Sequence, residues 1–365
     1  MRVVYRLRVE EALAAQRAEA VALEQTVEVP RAAVRDPFVE KEILGRVESV
    51  VPDSERTYLA TIALPVAATG LDPAHLLTIL FGNTSLQPDA ELVSFELPDE
   101  LLRALRGPRF GIEGIRRQTG VEDRALTCTA LKPQGLSVDA LAHLCTRFAR
   151  AGIDLIKDDH GLADQSFAPF ADRLEACQRA VEEVADETGH RALYVPNLTG
   201  TPEVIARQLD RAQEAGVGAV MVAPMLVGLP AFWELCQQRC SVPVLAHPTW
   251  GGALRIAPET LFGRIYRLYG ADAVIFVHWD GRFAYSPDTC SRLAEGLREP
   301  WGEIRPALPV PAGGLSVDRV QRVVEFYGRD QMLLIGGSLY LAGSALEARS
   351  RGFAESVARA SEALG

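Results

Sequence analysis

The sequence predicts an α/β protein: a C-terminal (β/α)8 barrel over residues 116–365, preceded by an N-terminal α+β domain of ferredoxin-like type over residues 1–115. Three observations predict this. From about residue 125, apolar runs alternate with helix-period stretches. The runs are continuously apolar, as strands covered on both faces are. Eight of them fit into the C-terminal part of the chain, the number that closes such a barrel.

In chain order the runs are 125–131, 153–156, 192–195, 219–223, 242–246, 273–277, 308–311 and 331–335. Amphipathic segments such as 138–151, 167–188, 202–215 and 316–327 separate them. An open doubly wound sheet is the alternative, but it would normally need fewer units. Before residue 115 the rhythm breaks. Strands are expected at 5–9, 26–29, 57–65 and 91–97, and helices at 9–20, 73–81 and 98–105. That irregular succession is an α+β pattern. Gly107 and Pro108 mark a linker at 107–112.

Composition narrows the function. A net charge of −10 disfavours a nucleic-acid or anionic-membrane partner, because binding phosphates by charge requires a basic face. No uncharged apolar run reaches the roughly eighteen residues of a membrane span. The start, with Arg2, Arg6 and Arg8, lacks the apolar centre of a signal peptide, so a cytoplasmic location is expected. Six cysteines in a chain of this length make no disulfide framework. Cys236 and Cys240, four apart on a helical stretch, read as buried thiols rather than a metal or redox pair.

Barrel chemistry collects on the loops that follow the strands. Lys132 follows the first run, and Lys157, Asp158, Asp159 and His160 follow the second. His247 ends the fifth, His278, Asp280 and Arg282 follow the sixth, and Gly313–Gly314 and Gly336–Gly337 follow the seventh and eighth. Glycines at those last two ends let backbone N–H groups approach a phosphate, and two pairs together favour this over mere tight turns. Lys157 and Asp159, two apart on a strand, face the same side. Three readings of Lys157 stay open: a satisfied ion pair, a Schiff-base nucleophile, or a carbamate that holds a hard divalent cation together with Asp159. His247 reads equally as an acid/base group and as a core histidine.

These residues resemble the RuBisCO large-chain superfamily, and within it the RuBisCO-like (form IV) proteins. The resemblance rests on Phe81-Gly82-Asn83, Gly111 to Arg116, Leu131-Lys132-Pro133, Gly152 to Asp159, His247 and the two glycine pairs, and it spans essentially the whole chain. It implies that Lys157 becomes an N6-carboxylated lysine binding Mg2+ with Asp159, and that His160 stands where a third metal ligand is expected. It implies that Lys132 moves the substrate proton, that His247 contacts substrate, and that Gly313, Gly314, Gly336 and Gly337 bind phosphate. Asn83 and Glu24 match residues lent by a neighbouring subunit, which implies a homodimer with a shared active site.

The departures from the pattern are His160 for a carboxylate, Gln134 for a second lysine, Pro248 for an arginine and Ala312 for a serine. The mobile-loop lysine has Arg282 as its nearest counterpart. Ribulose bisphosphate carboxylation is therefore not expected. The expected activity is a metal-dependent enolate chemistry on a phosphorylated sugar derivative. The reading leans to decarboxylation or transcarboxylation of a 3-oxo sugar-acid phosphate, with Arg282 and His160 on the leaving carboxylate. The alternatives are an isomerase or enolase of a methylthio-sugar phosphate and, from another class, an inactive binding or regulatory member.

Overall fold

The structure is a computed structural model that describes residues 1–283 and 285–364. Its N-terminal part runs β1 (Arg2–Arg8), a helix at Ala14–Glu24, β2 (Arg46–Ser54), β3 (Thr57–Ala63), a helix at Pro73–Phe81 and β4 (Ala90–Glu96). The sheet is antiparallel in the order β2-β3-β1-β4, which is the expected ferredoxin-like arrangement. Along β1 every second residue (Val3, Tyr5, Leu7) is buried against the helices, while Arg2 and Arg8 face outward. The helix at Pro73–Phe81 begins where its signals place it. Asp72 accepts the His75 backbone N–H at 2.8 Å, and Pro73 occupies the first turn, where no N–H is needed.

Two N-terminal expectations fail. Residues 26–29 form no strand: the N–H groups of Val27 and Glu28 both return to the Leu23 carbonyl and close the preceding helix. The second strand is instead Arg46–Ser54, an edge strand exposed along most of its length. It carries Pro52 and lacks the apolar alternation that betrays a half-buried strand.

The barrel follows the expected rhythm. Its strands are β5 (Leu126–Leu131), β6 (Leu155–Asp158), β7 (Leu193–Val195), β8 (Asn197–Leu198), β9 (Val220–Val222), β10 (Val244–Ala246), β11 (Ala273–Val277), β12 (Leu308–Ala312) and β13 (Met332–Leu334). β7 and β8 are two halves of the third barrel strand, divided at Pro196, which has no N–H for a ladder. All pairings are parallel, in two arcs, β13-β5-β6-β7 and β8-β9-β10-β11-β12, with β12 and β13 side by side. Cys128, Leu155, Met221, Leu245, Val310 and Met332 pack the lumen.

The helix Gly111–Thr119 plugs the lower end with Ile112 and Ile115. In packing, this segment belongs to the barrel rather than to a linker or to the N-terminal domain that the sequence reading extended to residue 115. Asp272, before β11, fixes it by accepting N–H groups from Phe110 (2.8 Å), Gly111 (2.7 Å) and Val244 (2.9 Å). The two parts also meet near the barrel mouth. Leu92 of β4 donates to the Arg255 carbonyl at 3.0 Å and accepts from Ala257 at 2.9 Å, so the N-terminal sheet leans on the segment after β10. No described helix is long and apolar enough to cross a membrane. All six cysteines are buried and free, as expected.

Candidate active site

The end of β6 sorts its charged residues by strand alternation. Lys157 and Asp159 face a cavity of about 160 Å3 at the mouth of the barrel. Asp158, between them, points into the wall, where its carboxylate accepts from Tyr194 Oη (2.8 Å), Arg173 Nε (3.1 Å) and the Asn197 N–H (3.1 Å). The Asn197 side chain then donates to the carbonyls of His160 (3.2 Å) and Leu162 (2.8 Å) and pins the loop that carries His160.

Lys132, at the end of β5, reaches across to Asp159 Oδ1 at 2.7 Å. His160 Nδ1 lies 3.4 Å from the same oxygen. Burial works against ionisation of Asp159, but hydrogen bonds from His160 and Lys132 and the charges of Lys157 and Lys132 overrule it. Its carboxyl is held well below the usual carboxylate range. Lys157 is buried, and its ammonium donates to its neighbour's backbone carbonyl, Asp158 O, at 2.7 Å. That burial lowers its pKa and favours the neutral amine.

His160 and His247 stack, with ring centroids 4.4 Å apart and planes 15° from parallel. His247 Nδ1 accepts the Thr249 backbone N–H at 3.2 Å, which leaves the proton of the neutral ring on Nε2. Burial first, then the charge of Lys157, pulls its pKa well below the ordinary histidine value.

A second chamber of about 530 Å3 adjoins this cavity and shares Lys132, Arg282 and Gly313 with it. Both glycine pairs edge it. The pairs differ in why they are glycine. Gly313 and Gly314 have φ of 90° and 123°, and a side chain on Gly314 would press on the Arg282 backbone at 2.9 Å, so local geometry already demands them. At Gly337 a side chain would meet nothing within 4 Å. Packing does not require glycine there.

The structure therefore brings together Lys132, Lys157, Asp159, His160, His247, Arg282 and the four glycines. Glu24 and Asn83 lie elsewhere: Asn83 Nδ2 donates to Glu24 Oε1 at 3.1 Å on the exposed face of the N-terminal domain, and neither lines these chambers. His278 turns away too, with Nδ1 3.0 Å from Tyr327 Oη, and Asp280 pairs with Arg319 and Arg322. Sequence reasoning missed Arg173 and Tyr194 beneath Asp158, Thr249 behind His247, and Tyr340. The Tyr340 hydroxyl donates to the Ala130 carbonyl (2.8 Å) and accepts from the Lys132 N–H (2.9 Å). Apart from Thr249, which is two residues from His247, their signal is tertiary, since each lies on a different element from most of what it supports.

Among the described residues, no three His, Cys, Asp or Glu side chains stand ready to hold a metal. The unmodified site offers one carboxylate, an imidazole and an amine. A carbamate on Lys157 would add the second anionic oxygen donor that a hard cation requires, so the donor set fits a divalent metal only in the carbamylated form.

Residues 111–253 match the family described as ribulose bisphosphate carboxylase large chain, catalytic domain. A ribulose bisphosphate carboxylase-like protein of Rhodopseudomonas palustris is 47% identical over 356 residues, covering 98% of this chain and 97% of that one. A 5-methylthioribulose-1-phosphate isomerase of Rhodospirillum rubrum is 44% identical over 361 residues, 99% and 96% of the two chains. A 2,3-diketo-5-methylthiopentyl-1-phosphate enolase of Geobacillus thermodenitrificans is 34% identical over 292 residues, 77% and 70%. The crystal structure of a Rubisco-like protein from Rhodopseudomonas palustris superposes with a TM-score of 0.90 at 44% identity, covering 98% of this chain and 97% of that one. These likenesses, with Gln134, Pro248 and Ala312 in place of the carboxylase residues, mark an enzyme that is not a true carboxylase. The chain belongs to the ribulose bisphosphate carboxylase large-chain family, among its RuBisCO-like, form IV members.

Proposed function

We propose that the protein is an enolising isomerase of a phosphorylated, methylthio-bearing ketose. The observation that carries this reading is the position of Lys132. It meets Asp159 at 2.7 Å in one chamber and also lines the glycine-edged chamber beside it. A substrate with its phosphate among the glycines and Arg282 would present its neighbouring carbons to the lysine. The isomerase and enolase names of the relatives support the same chemistry.

In this reading Lys132, entering as the free amine, takes a proton from the carbon beside the carbonyl, and Asp159 holds the resulting ammonium in the ion pair seen in the structure. The proton then returns to another carbon of the same skeleton, so that no atom is gained or lost. His247 donates its Nε2–H to a substrate oxygen on which charge gathers. Lys157, favoured as the amine by burial, reacts with carbon dioxide to give a carbamate. That carbamate, Asp159 and His160 would hold Mg2+, which when bound polarises the carbonyl and its neighbouring hydroxyl. Glu24 and Asn83, paired outside their own barrel, would serve the site of a second subunit in a homodimer.

Decarboxylation of a 3-oxo sugar-acid phosphate stands second, because Arg282 and His160 both line the cavity where a leaving carboxylate would lie. The test is incubation with 5-methylthioribulose 1-phosphate, Mg2+ and bicarbonate in D2O, followed by proton NMR. Deuterium entering the carbon skeleton with conversion to an isomer is the expected result. Carbon dioxide release from the oxo acid without turnover of the methylthio sugar would transfer the assignment to decarboxylation. Turnover of neither would leave a binding protein.

A further inference from the structure

The turn after β11 carries Arg282 and is held from two directions. From the barrel side, backbone pairing holds it. The His278 N–H donates to the Ala312 carbonyl at 2.8 Å, the Gly281 N–H to the His278 carbonyl at 3.2 Å, and the Arg282 N–H to the Gly313 carbonyl at 2.7 Å. On both faces of this contact the approach is too close for a side chain. A Cβ on Gly281 would stand 2.4 Å from the Gly313 carbonyl oxygen, and one on Gly314 would stand 2.9 Å from the Arg282 nitrogen. Gly313 and Gly314 therefore seat the turn that bears the arginine.

From outside the barrel, side chains hold the same turn. Asp280 Oδ2 lies 3.4 Å from Arg319 Nη1 and 3.5 Å from Arg322 Nη1. Arg319 also donates to the Asp280 backbone carbonyl. The Arg322 guanidinium lies 4.3 Å from the centroid of the Trp279 ring, so it engages two successive residues of the turn. A lone exposed ion pair contributes little, whereas a network that fixes several side chains at once contributes more. Of the three arginines at this corner, Arg282 lines both chambers, and Arg319 and Arg322 line neither.

A long arginine side chain on a loop must be ordered when it grips an anion, and that ordering subtracts from affinity. A turn already docked on both sides removes part of the cost. We infer that Asp280 is a positioning residue for Arg282: its link to Arg319 and Arg322 holds the turn after β11 so that the Arg282 guanidinium faces the phosphate chamber. This rests on the phosphorylated-substrate reading and adds what aims one of its cations.

The test is a double-mutant cycle on the full-length protein, read by calorimetric binding of pentyl phosphate, an unreactive probe that requires no turnover. Arg282→Met should weaken binding about tenfold, the loss of a charged hydrogen bond. Asp280→Asn should weaken it about threefold, because the guanidinium remains but loses its aim. In the Arg282→Met background Asp280→Asn should cost nothing further, since it acts only through that side chain. Arg319→Met combined with Arg322→Met should reproduce the Asp280→Asn loss and vanish in the same background. The Asp280, Arg319 and Arg322 side chains are 35%, 39% and 64% exposed, so these variants should fold, and circular dichroism checks that they do. With 5-methylthioribulose 1-phosphate, Asp280→Asn should raise KM and leave kcat nearly unchanged, as a loss of binding shared by ground and transition states does. An equal loss from Asp280→Asn with and without Arg282 would overturn the inference, because a general disturbance of the loop does not need the guanidinium. Unchanged binding in Asp280→Asn or in Arg282→Met would overturn it as well, while leaving the phosphate reading in place. Failure of the unaltered protein to bind the probe would overturn that reading and the inference together.

Discussion

The Lys132 ammonium and the Asp159 carboxylate meet at 2.7 Å across neighbouring parallel strands. The pairing follows from register: Leu131 of β5 stands opposite Asp158 of β6, so the next position on each strand brings the two charges face to face at the mouth. Removing the lysine takes away the proposed proton carrier and leaves the fold intact. Lys132→Ala should lower kcat by about 10²–10⁴ and abolish deuterium exchange into the substrate. A variant that still exchanges deuterium at the normal rate would exclude Lys132 as the base.

Lys157 has a different dependence. Its buried amine lies beside one ionised carboxylate, and the proposed metal site would be complete only with a carbamate. Activity should rise on preincubation with bicarbonate and Mg2+ and fall on chelation. Lys157→Met should be inactive under both conditions. The carbamate itself should appear as a carbonyl resonance after incubation with 13C-bicarbonate, and its absence from an active enzyme would eliminate this reading of Lys157.

The strands and most of this site were legible because their signals are local. A continuous apolar run ending in Lys-Asp-Asp announces both a covered strand and its mouth, and alternation sends Lys157 and Asp159 one way and Asp158 the other. What was not legible depends on distant partners. β2 is an edge strand with little to bury, so its pattern is silent. The helix carrying Ile112 and Ile115 reads as a linker until the barrel floor it fills is known. Tyr340, on the element after β13, supports the end of β5, and no spacing in the sequence links the two.

Tyr340 is a positioning residue. Its hydroxyl ties the Lys132 backbone to the Ala130 carbonyl, a few residues after Gly337 at the chamber's edge. Tyr340→Phe should keep the ring's edge-on packing on Phe148, 5.7 Å between centroids, and so cost little stability. It should lower kcat about tenfold, with KM nearly unchanged, and shift the pH profile of kcat as the lysine loses its fixed aim. An equal loss in KM alone would mean that the hydroxyl serves binding and not alignment.

Arg173 and Asp158 form a fully buried pair 3.1 Å apart beneath the site. Arg173→Met would strand a carboxylate held otherwise only by Tyr194 and a backbone N–H. A loss of about 3–5 kcal/mol in unfolding free energy is expected. Tyr194→Phe, which removes one hydrogen bond to that carboxylate, should cost about 1.5–3 kcal/mol. Equal losses would show that the pair contributes no more than a single hydrogen bond to the carboxylate.

Asp272 makes stability depend on pH from the opposite end of the barrel. Burial outweighs its three N–H donors and raises its pKa to about 6, against about 3.9 in an unfolded chain. The folded state therefore holds the proton more tightly. Its contribution to stability is fully present below about pH 4, declines as pH rises through 6, and is absent above that. Between pH 5 and 7.5 the decline amounts to about 1 kcal/mol. Asp272→Asn cannot titrate, so the stability of the unaltered protein relative to this variant should fall by that amount across the same interval in urea denaturation. A difference that stays flat with pH would mean that the three N–H groups of Phe110, Gly111 and Val244 keep the carboxylate ionised despite its burial.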